Sequence, residues 1–290
     1  MRRTMNNFLT WLRSRGGSGD RQVSFGRFTV RLPRGHLLPV YQRKHPSYDR
    51  FLPVLAGHLQ AGSTVIDIGA NCGDSVAAMA AQNPHLNYLC VEPDEVFHRY
   101  LQDNIARMRE VEPGLRIETI KAMVGKDVTH ASLAGSGGSR HAVPGAGALA
   151  ATTLDEMASK GDRPPIRLLK SDVDGYDYDV INSASALIRR DLPLLFYECQ
   201  YGEPAQRAGF ESLLRSLGET GYTRWTVFDN FGEVMLSDTS PSQIEQLMDY
   251  VWLQNQKRAT RTVYYYDILA AGPADAALVD RVLAAYRARA

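Results

Sequence analysis

Residues Thr64-Val65-Ile66-Asp67-Ile68-Gly69-Ala70-Asn71-Cys72-Gly73 form an apolar strand that runs directly into a glycine turn. A second apolar run, Asn87-Tyr88-Leu89-Cys90-Val91, follows and ends in another acid, Glu92. Strand, glycine turn, helix and a strand closed by a carboxylate make half of a nucleoside-binding α/β unit. This constrains the rest of the chain. Such strands lie parallel, helical crossovers join them, and ligands bind beyond their carboxyl ends.

The spacing is D-x-G-x-x-x-G and not G-x-G-x-x-G, which turns the reading from dinucleotide oxidoreductases toward S-adenosylmethionine (SAM). Each residue type has a task in such a turn. Gly69 and Gly73 let backbone come close to a ligand where side chains would block it. Asn71 is placed to cap the next helix, whose free N–H groups suit a carboxylate. Glu92 accepts from a ribose diol. Asp67 either orients the turn or meets an ammonium group.

The region downstream alternates strand and helix. Strands are expected near 64–69, 87–92, 116–123, 166–172 and 192–199, with helices near 74–82, 94–108, 154–160, 176–189 and 205–218. Alternation of this kind gives an α/β, mostly parallel sheet with helices on both faces. Residues 222–228 and 262–269 read as two late strands around a helix at 242–254, and an alanine-rich helix ends the chain. The Gly, Ala and Ser run at 133–151 is a long loop or a loose hairpin, either disordered or a lid. Three parts are expected: a basic segment and linker (1–20), a strand pair and helix packed on the sheet (21–60), and the main domain (61–290).

Bulk properties narrow the classes. A formal charge of +1 gives no general attraction to nucleic acid, and no nucleic-acid motif appears. Cys72, Cys90 and Cys199 lack C-x-x-C spacing and read as buried thiols. No apolar run approaches the ~20 residues of a transmembrane span, and no signal peptide is evident, so the expected location is cytoplasmic. Phe8, Leu9, Trp11 and Leu12 among arginines could form a helix that touches a membrane surface; a frayed terminus is the plainer reading. No feature sets an oligomeric state.

A second constellation is Arg167-Leu168-Leu169-Lys170-Ser171-Asp172-Val173-Asp174-Gly175-Tyr176-Asp177. Extended geometry puts Asp172 and Asp174 on one side, over the same crevice as Gly69, with Lys170 deeper and close enough to pair with an acid. The strand Pro193-Leu194-Leu195-Phe196-Tyr197-Glu198-Cys199 brings Glu198 to that edge. No dedicated metal-ligand spacing accompanies these acids, and no metal is expected. The histidines form no recognisable pair, and His45 is read as a surface residue.

At these motifs, together with Val91-Glu92-Pro93 and Thr153-Leu154-Asp155-Glu156, the chain resembles the FkbM family of SAM-dependent methyltransferases. The likeness spans about residues 48–200. It implies a Rossmann-like class I methyltransferase fold, with a seven-stranded sheet whose last strand is antiparallel. It also implies O-methylation of a sugar, glycan or natural-product hydroxyl. On that resemblance Gly69, Asn71, Gly73 and Glu92 hold SAM, with Asp67, Ala70, Ser75, Pro93 and Ala122 completing the cofactor set, and Asp172 lies near the transferred methyl. The family usually has an aliphatic residue where Ser171 stands, and Glu where Asp174 and Asp177 stand.

Methyl transfer to an alcohol needs alignment behind the methyl and a base for the hydroxyl proton. Asp172 is the first choice for that base and Glu198 the second. Lys170 could serve only if desolvation lowered its pKa. Two rivals share the sheet: a nucleotide-dependent oxidoreductase, and a protein that binds SAM or a nucleoside without catalysis.

Overall fold

The computed structural model describes residues 19–145, 147, 149–159, 164–257 and 262–289. The basic N-terminal helix expected above lies outside the described residues. An N-terminal hairpin, β1 (Arg21–Phe25) and β2 (Phe28–Leu32), is followed by two short helices, α1 (Leu38–Lys44) and α2 (Phe51–Gly57). Then come β3 (Thr64–Ile68), α3 (Asp74–Gln82), β4 (Asn87–Val91), α4 (Glu95–Val111) and β5 (Arg116–Ile120). A small excursion holds β6 (Met123–Val124), β7 (His130–Ala134), β8 (His141–Pro144), β9 (Leu149–Thr152) and α5 (Leu154–Ala158). The central layers resume with β10 (Ile166–Ser171), α6 (Asp177–Asn182), α7 (Ser185–Asp191), β11 (Leu194–Cys199) and α8 (Pro204–Thr220). The chain closes with β12 (Arg224–Asp229), β13 (Val234–Thr239), α9 (Pro241–Lys257), β14 (Tyr266–Ala271) and α10 (Ala276–Arg287).

The main sheet runs β13-β12-β14-β11-β10-β3-β4-β5. From β5 to β11 every pairing is parallel, and β14 enters antiparallel between β11 and β12. This is the class I methyltransferase arrangement with eight strands in place of the expected seven. The addition is β13, which folds back on β12. Its turn is closed by Asp229, whose Oδ1 accepts from the N–H groups of Phe231 and Glu233, both at 2.9 Å. At the sheet edge, β13 carries its apolar residues Val234, Met235 and Leu236 in a row ahead of Ser237 and Asp238, so it lacks the apolar alternation that marks a strand in sequence.

Successive residues of β3 enter opposite cores, which is why the strand reads as one continuous apolar run. Val65 joins Phe28, Met79, Leu101 and Val282 on one face, while Ile66 joins Val180, Leu213, Trp225 and Met248 on the other. Each fully buried side chain of this size contributes about 1.5–3 kcal/mol. Helix α4 starts at Asp94, whose carboxylate caps the N–H groups of Val96 and Phe97.

The single helix expected near 176–189 is two helices. Ser183, between them, donates to Val180 O at 2.6 Å and accepts from Leu154 N at 3.1 Å, tying the break to α5. The glycine-rich run becomes the β7–β8 hairpin, with β9 paired against β7. Asp179 on α6 fixes the root of this excursion by accepting from the N–H groups of Lys126, Asp127 and Val128 at 2.8–3.1 Å. All three cysteines are buried and free. No helix among the described residues is long and apolar enough to cross a membrane.

Candidate active site

A cavity of about 340 Å³ opens beyond the carboxyl ends of β3, β4, β10 and β11 and the amino end of antiparallel β14. Gly69, Asn71, Ser75, Glu92, Pro93, Ala122, Lys170, Asp172 and Glu198 all line it. Asp67 and Ala70 are fully buried, and neither they nor Gly73 line the cavity.

The glycine turn is held by β4, because the N–H groups of Gly69 and Ala70 both donate to Val91 O, at 3.0 and 3.1 Å. Gly69 has φ +75°, and a Cβ there would lie 2.0 Å from Asp172 O. Its missing side chain therefore lets two turns touch, the one after β3 and the one after β10. Gly73, with φ +85°, is itself the N-cap of α3. Asn71 does not cap that helix. Its own left-handed backbone (φ +49°) turns the side chain toward the hairpin tip, where Nδ2 donates to Gly138 O at 2.7 Å. Asn71 Oδ1 faces His36 Nε2 at 3.3 Å. His36 Nδ1 accepts from Leu38 N, and burial lowers its pKa, so the neutral ring donates through Nε2.

Glu92 is the best-built ligand group in this half of the cleft. Each carboxylate oxygen accepts one backbone N–H, Oε2 from Asn71 at 2.9 Å and Oε1 from Asp94 at 2.8 Å. The remaining lone pairs suit a ribose diol. Burial pushes its pKa up to about 7, against the opposing effect of those two N–H groups. Phe97 and Met123 add apolar wall beside it. Arg140, on the hairpin, reaches Asp94 at 3.2 Å and lies over the Phe97 ring. This donor set fits the nucleoside part of SAM.

Behind the glycine turn, Asp67 accepts from Ser75 Oγ and pairs with Lys170 Nζ at 3.0 Å. Asp67 is thereby held beneath the turn, between the Ser75 hydroxyl and the Lys170 ammonium. Lys170 also donates to Gly69 O at 3.0 Å and stands 3.6 Å from Asp172. Burial disfavours its charge, but Asp67 and Asp172 more than reverse this, and its pKa is raised. Lys170 is thus a fixed cation and a poor base.

Asp172 projects into the cleft, with its side chain 54% exposed there. The enclosing cleft floor raises its pKa, and Lys170 opposes the rise. Asp177 is fully buried and faces away from the cavity. It accepts from Ser171 Oγ at 2.6 Å and from the N–H groups of Val173 and Gly175. Burial raises its pKa to about 7. Asp174, at φ +55°, accepts from Ser139 Oγ of the hairpin tip at 2.5 Å.

Glu198 lies directly opposite Asp267 in the β11–β14 ladder, and both line the cavity. Burial first, and then neighbouring carboxylates, raise the pKa of each. Sequence reading missed Asp267 because it looked for acids where strands end. In an antiparallel strand the cleft meets the beginning, and the signal was the acid just after Tyr264-Tyr265-Tyr266. It also missed Tyr48, Asp49 and Asp74, which line the cavity from segments flanking the motifs. His45 does not line it; its ring stacks on Phe231 with centroids 3.9 Å apart. Among the described residues, no group of three or more His, Cys, Asp or Glu is disposed to hold a metal ion.

The family model described as "Methyltransferase FkbM domain" matches residues 67–224, which takes in the glycine turn, Glu92, Asp172 and Glu198. The chain belongs to the FkbM methyltransferase family. Among solved structures, this FkbM-family protein is similar to the methyltransferase FkbM from Methylobacillus flagellatus, with 13% identity and a TM-score of 0.39. That match covers 72% of this chain and 43% of the other. It is also similar to the METTL16 MTase domain, with 15% identity, TM-score 0.47, and 93% and 80% of the two chains covered. A third is the plantazolicin methyltransferase BpumL in complex with SAH, with 10% identity, TM-score 0.39, and 81% and 89% covered. At these values the likenesses carry no information about substrate. Comparison with curated proteins returns no match.

Proposed function

We propose that this FkbM-family methyltransferase uses SAM to methylate a hydroxyl of a sugar, glycan or natural-product acceptor in the cytoplasm. The observation that carries the reading is the shared cleft. Glu92 at the end of β4 and Asp172 at the end of β10 face one cavity, with Gly69 packed between their turns. SAM supplies an electrophilic methyl on a sulfonium centre. Glu92 would hold the ribose, Gly69, Asn71 and Ser75 would face the amino-acid part, and Pro93 and Ala122 would flank the adenine.

Asp172 would take the acceptor's proton as the new C–O bond forms. It is open to the cleft and more basic than an ordinary carboxylate, and both properties suit a base. Lys170 positions it. Glu198, more deeply buried and held toward its protonated form, is the weaker candidate. Water exclusion falls to the hairpin tip, which reaches Asn71 on one side and Asp174 on the other.

Calorimetry with SAM and with NAD tests the cofactor. Heat with NAD alone would return the chain to the oxidoreductases. Mass spectrometry of glycans and metabolites from cells with and without the protein tests the acceptor: a species that gains one CH2 only when it is present is expected. Cell fractionation tests the location.

A further inference from the structure

Two buried polar atoms on the cavity wall have no partner among the described residues. Glu198 Oε2 is an unmatched acceptor and Asn230 Nδ2 an unmatched donor, on side chains of residues only 6% and 2% exposed. Asn230 Oδ1 is occupied by Tyr264 N at 3.2 Å, which fixes the amide with its NH2 free. A buried polar group left without a partner forfeits its hydration with nothing in return. Both atoms are therefore disposed toward a guest.

This end of the cleft is distinct from the cofactor end. Glu198 on β11 and Glu92 on β4 are separated by β10 and β3, three strand spacings or about 14 Å. The chemistry differs as well. Asp49, Asp172, Asp174, Glu198 and Asp267 all line the acceptor end. Among the described residues, the basic groups that line the cavity are already paired: Lys170 with Asp67, the Gly69 carbonyl and, at 3.6 Å, Asp172, and Arg140 with Asp94 beside Phe97. Glu198 and Asp267 face each other across the ladder, and among the described residues neither is ion-paired with a cation, an arrangement that like charges oppose. Tyr48, Phe196, Phe231 and Tyr265 stand around them. Aromatic faces attract an alkylammonium and offer nothing to a strongly hydrated divalent ion.

We propose that this end of the cleft is a subsite for a protonated amine on the acceptor, received by Glu198 and Asp267, with Asn230 Nδ2 holding a neighbouring oxygen. The proposal rests on the methyltransferase reading above and names its substrate class as an amino sugar or amino alcohol. Burial and the neighbouring acids hold the two carboxyls toward their protonated forms in the empty cleft, and an entering ammonium favours ionisation.

The test uses the full chain saturated with S-adenosylhomocysteine and three probes, glucosamine, glucose and N-acetylglucosamine, titrated by ligand-observed NMR. Glucosamine is expected to bind roughly tenfold or more tightly than either neutral sugar, the scale of one charged hydrogen bond. Asp267→Asn and Glu198→Gln should each bring glucosamine to the level of glucose while S-adenosylhomocysteine affinity stays within about twofold. Equal binding of the three sugars, an amine preference that survives both substitutions, or displacement of glucosamine by magnesium would overturn the subsite. Failure of S-adenosylhomocysteine to bind at all would instead sink the methyltransferase reading, whatever the ranking of the sugars.

Discussion

Lys170 Nζ lies 3.0 Å from Asp67 Oδ1 beneath the glycine turn, and the same ammonium holds Gly69 O from below. One buried ion pair therefore joins β3, β10 and the turn that shapes the cofactor end. Removing one partner of a buried pair leaves an uncompensated charge and costs about 3–5 kcal/mol. Lys170→Met is expected to lower the melting temperature by roughly 10 °C. Adding Asp67→Asn to that variant should restore part of the loss, since no lone carboxylate is then left. A Lys170→Met protein that melts like the parent would show the pair to be dispensable.

Asp172→Asn removes the proposed base and keeps its shape. Turnover with the acceptor found by mass shift should fall about 10²–10⁴-fold, the scale of general-base catalysis, while SAM affinity changes little. Glu198→Gln should act mainly on the Michaelis constant for that acceptor. The reverse pattern would exchange the two roles.

Glu92 links cofactor affinity to pH. In the proposed function its carboxylate form accepts from the ribose, and burial raises its pKa to about 7. SAM affinity should be full above that value and fall up to about tenfold per unit below it. Glu92→Gln should flatten the profile and cost about 1–3 kcal/mol of binding at pH 8. Stability runs the other way. The folded state keeps this proton up to about 7, whereas the free side chain loses it at 4.5. The fold is therefore favoured at low pH by this group and loses that contribution as pH rises through 7, and Asp177 behaves alike. Thermal melts of the apo protein should fall between about pH 4.5 and pH 7 on this account and level off above that, and they should fall less steeply in Glu92→Gln.

Gly69→Ala tests the contact between the two turns. The left-handed backbone alone costs about 1–3 kcal/mol with a side chain, and the added carbon would meet Asp172 O at 2.0 Å. Loss of SAM binding and of turnover together is expected, with a lower melting temperature. Gly62→Ala, also at positive φ but with nothing within 4 Å of the new carbon, serves as the comparison and should cost only the backbone strain.

The parallel half of the sheet was legible because its strands are buried on both faces and end in chemistry. Asp67, Glu92, Asp172 and Glu198 stand at the strand ends where the pattern put them. Edge and antiparallel strands were harder. The apolar residues of β13 stand in a row and do not alternate, and Asp267 sits where an antiparallel strand begins. Local roles that depend on distant partners were not legible at all. Nothing near Asn71 in sequence indicates that its side chain leaves the helix end for Gly138, and nothing near Asp179 announces the three N–H groups from residues 126–128.

The tip of the β7–β8 hairpin is fastened by a few hydrogen bonds to otherwise separate places. Leu37 N donates to Gly137 O at 2.9 Å, Asn71 to Gly138 O, Ser139 to Asp174, and Arg140 to Asp94. Each such bond is worth about 0.5–1.5 kcal/mol net, so freeing the tip costs on the order of a few kcal/mol. Its root, by contrast, is anchored to α6 through Asp179. The tip therefore ties the segment before α1, the glycine turn and the turn after β10 together across the mouth of one cavity.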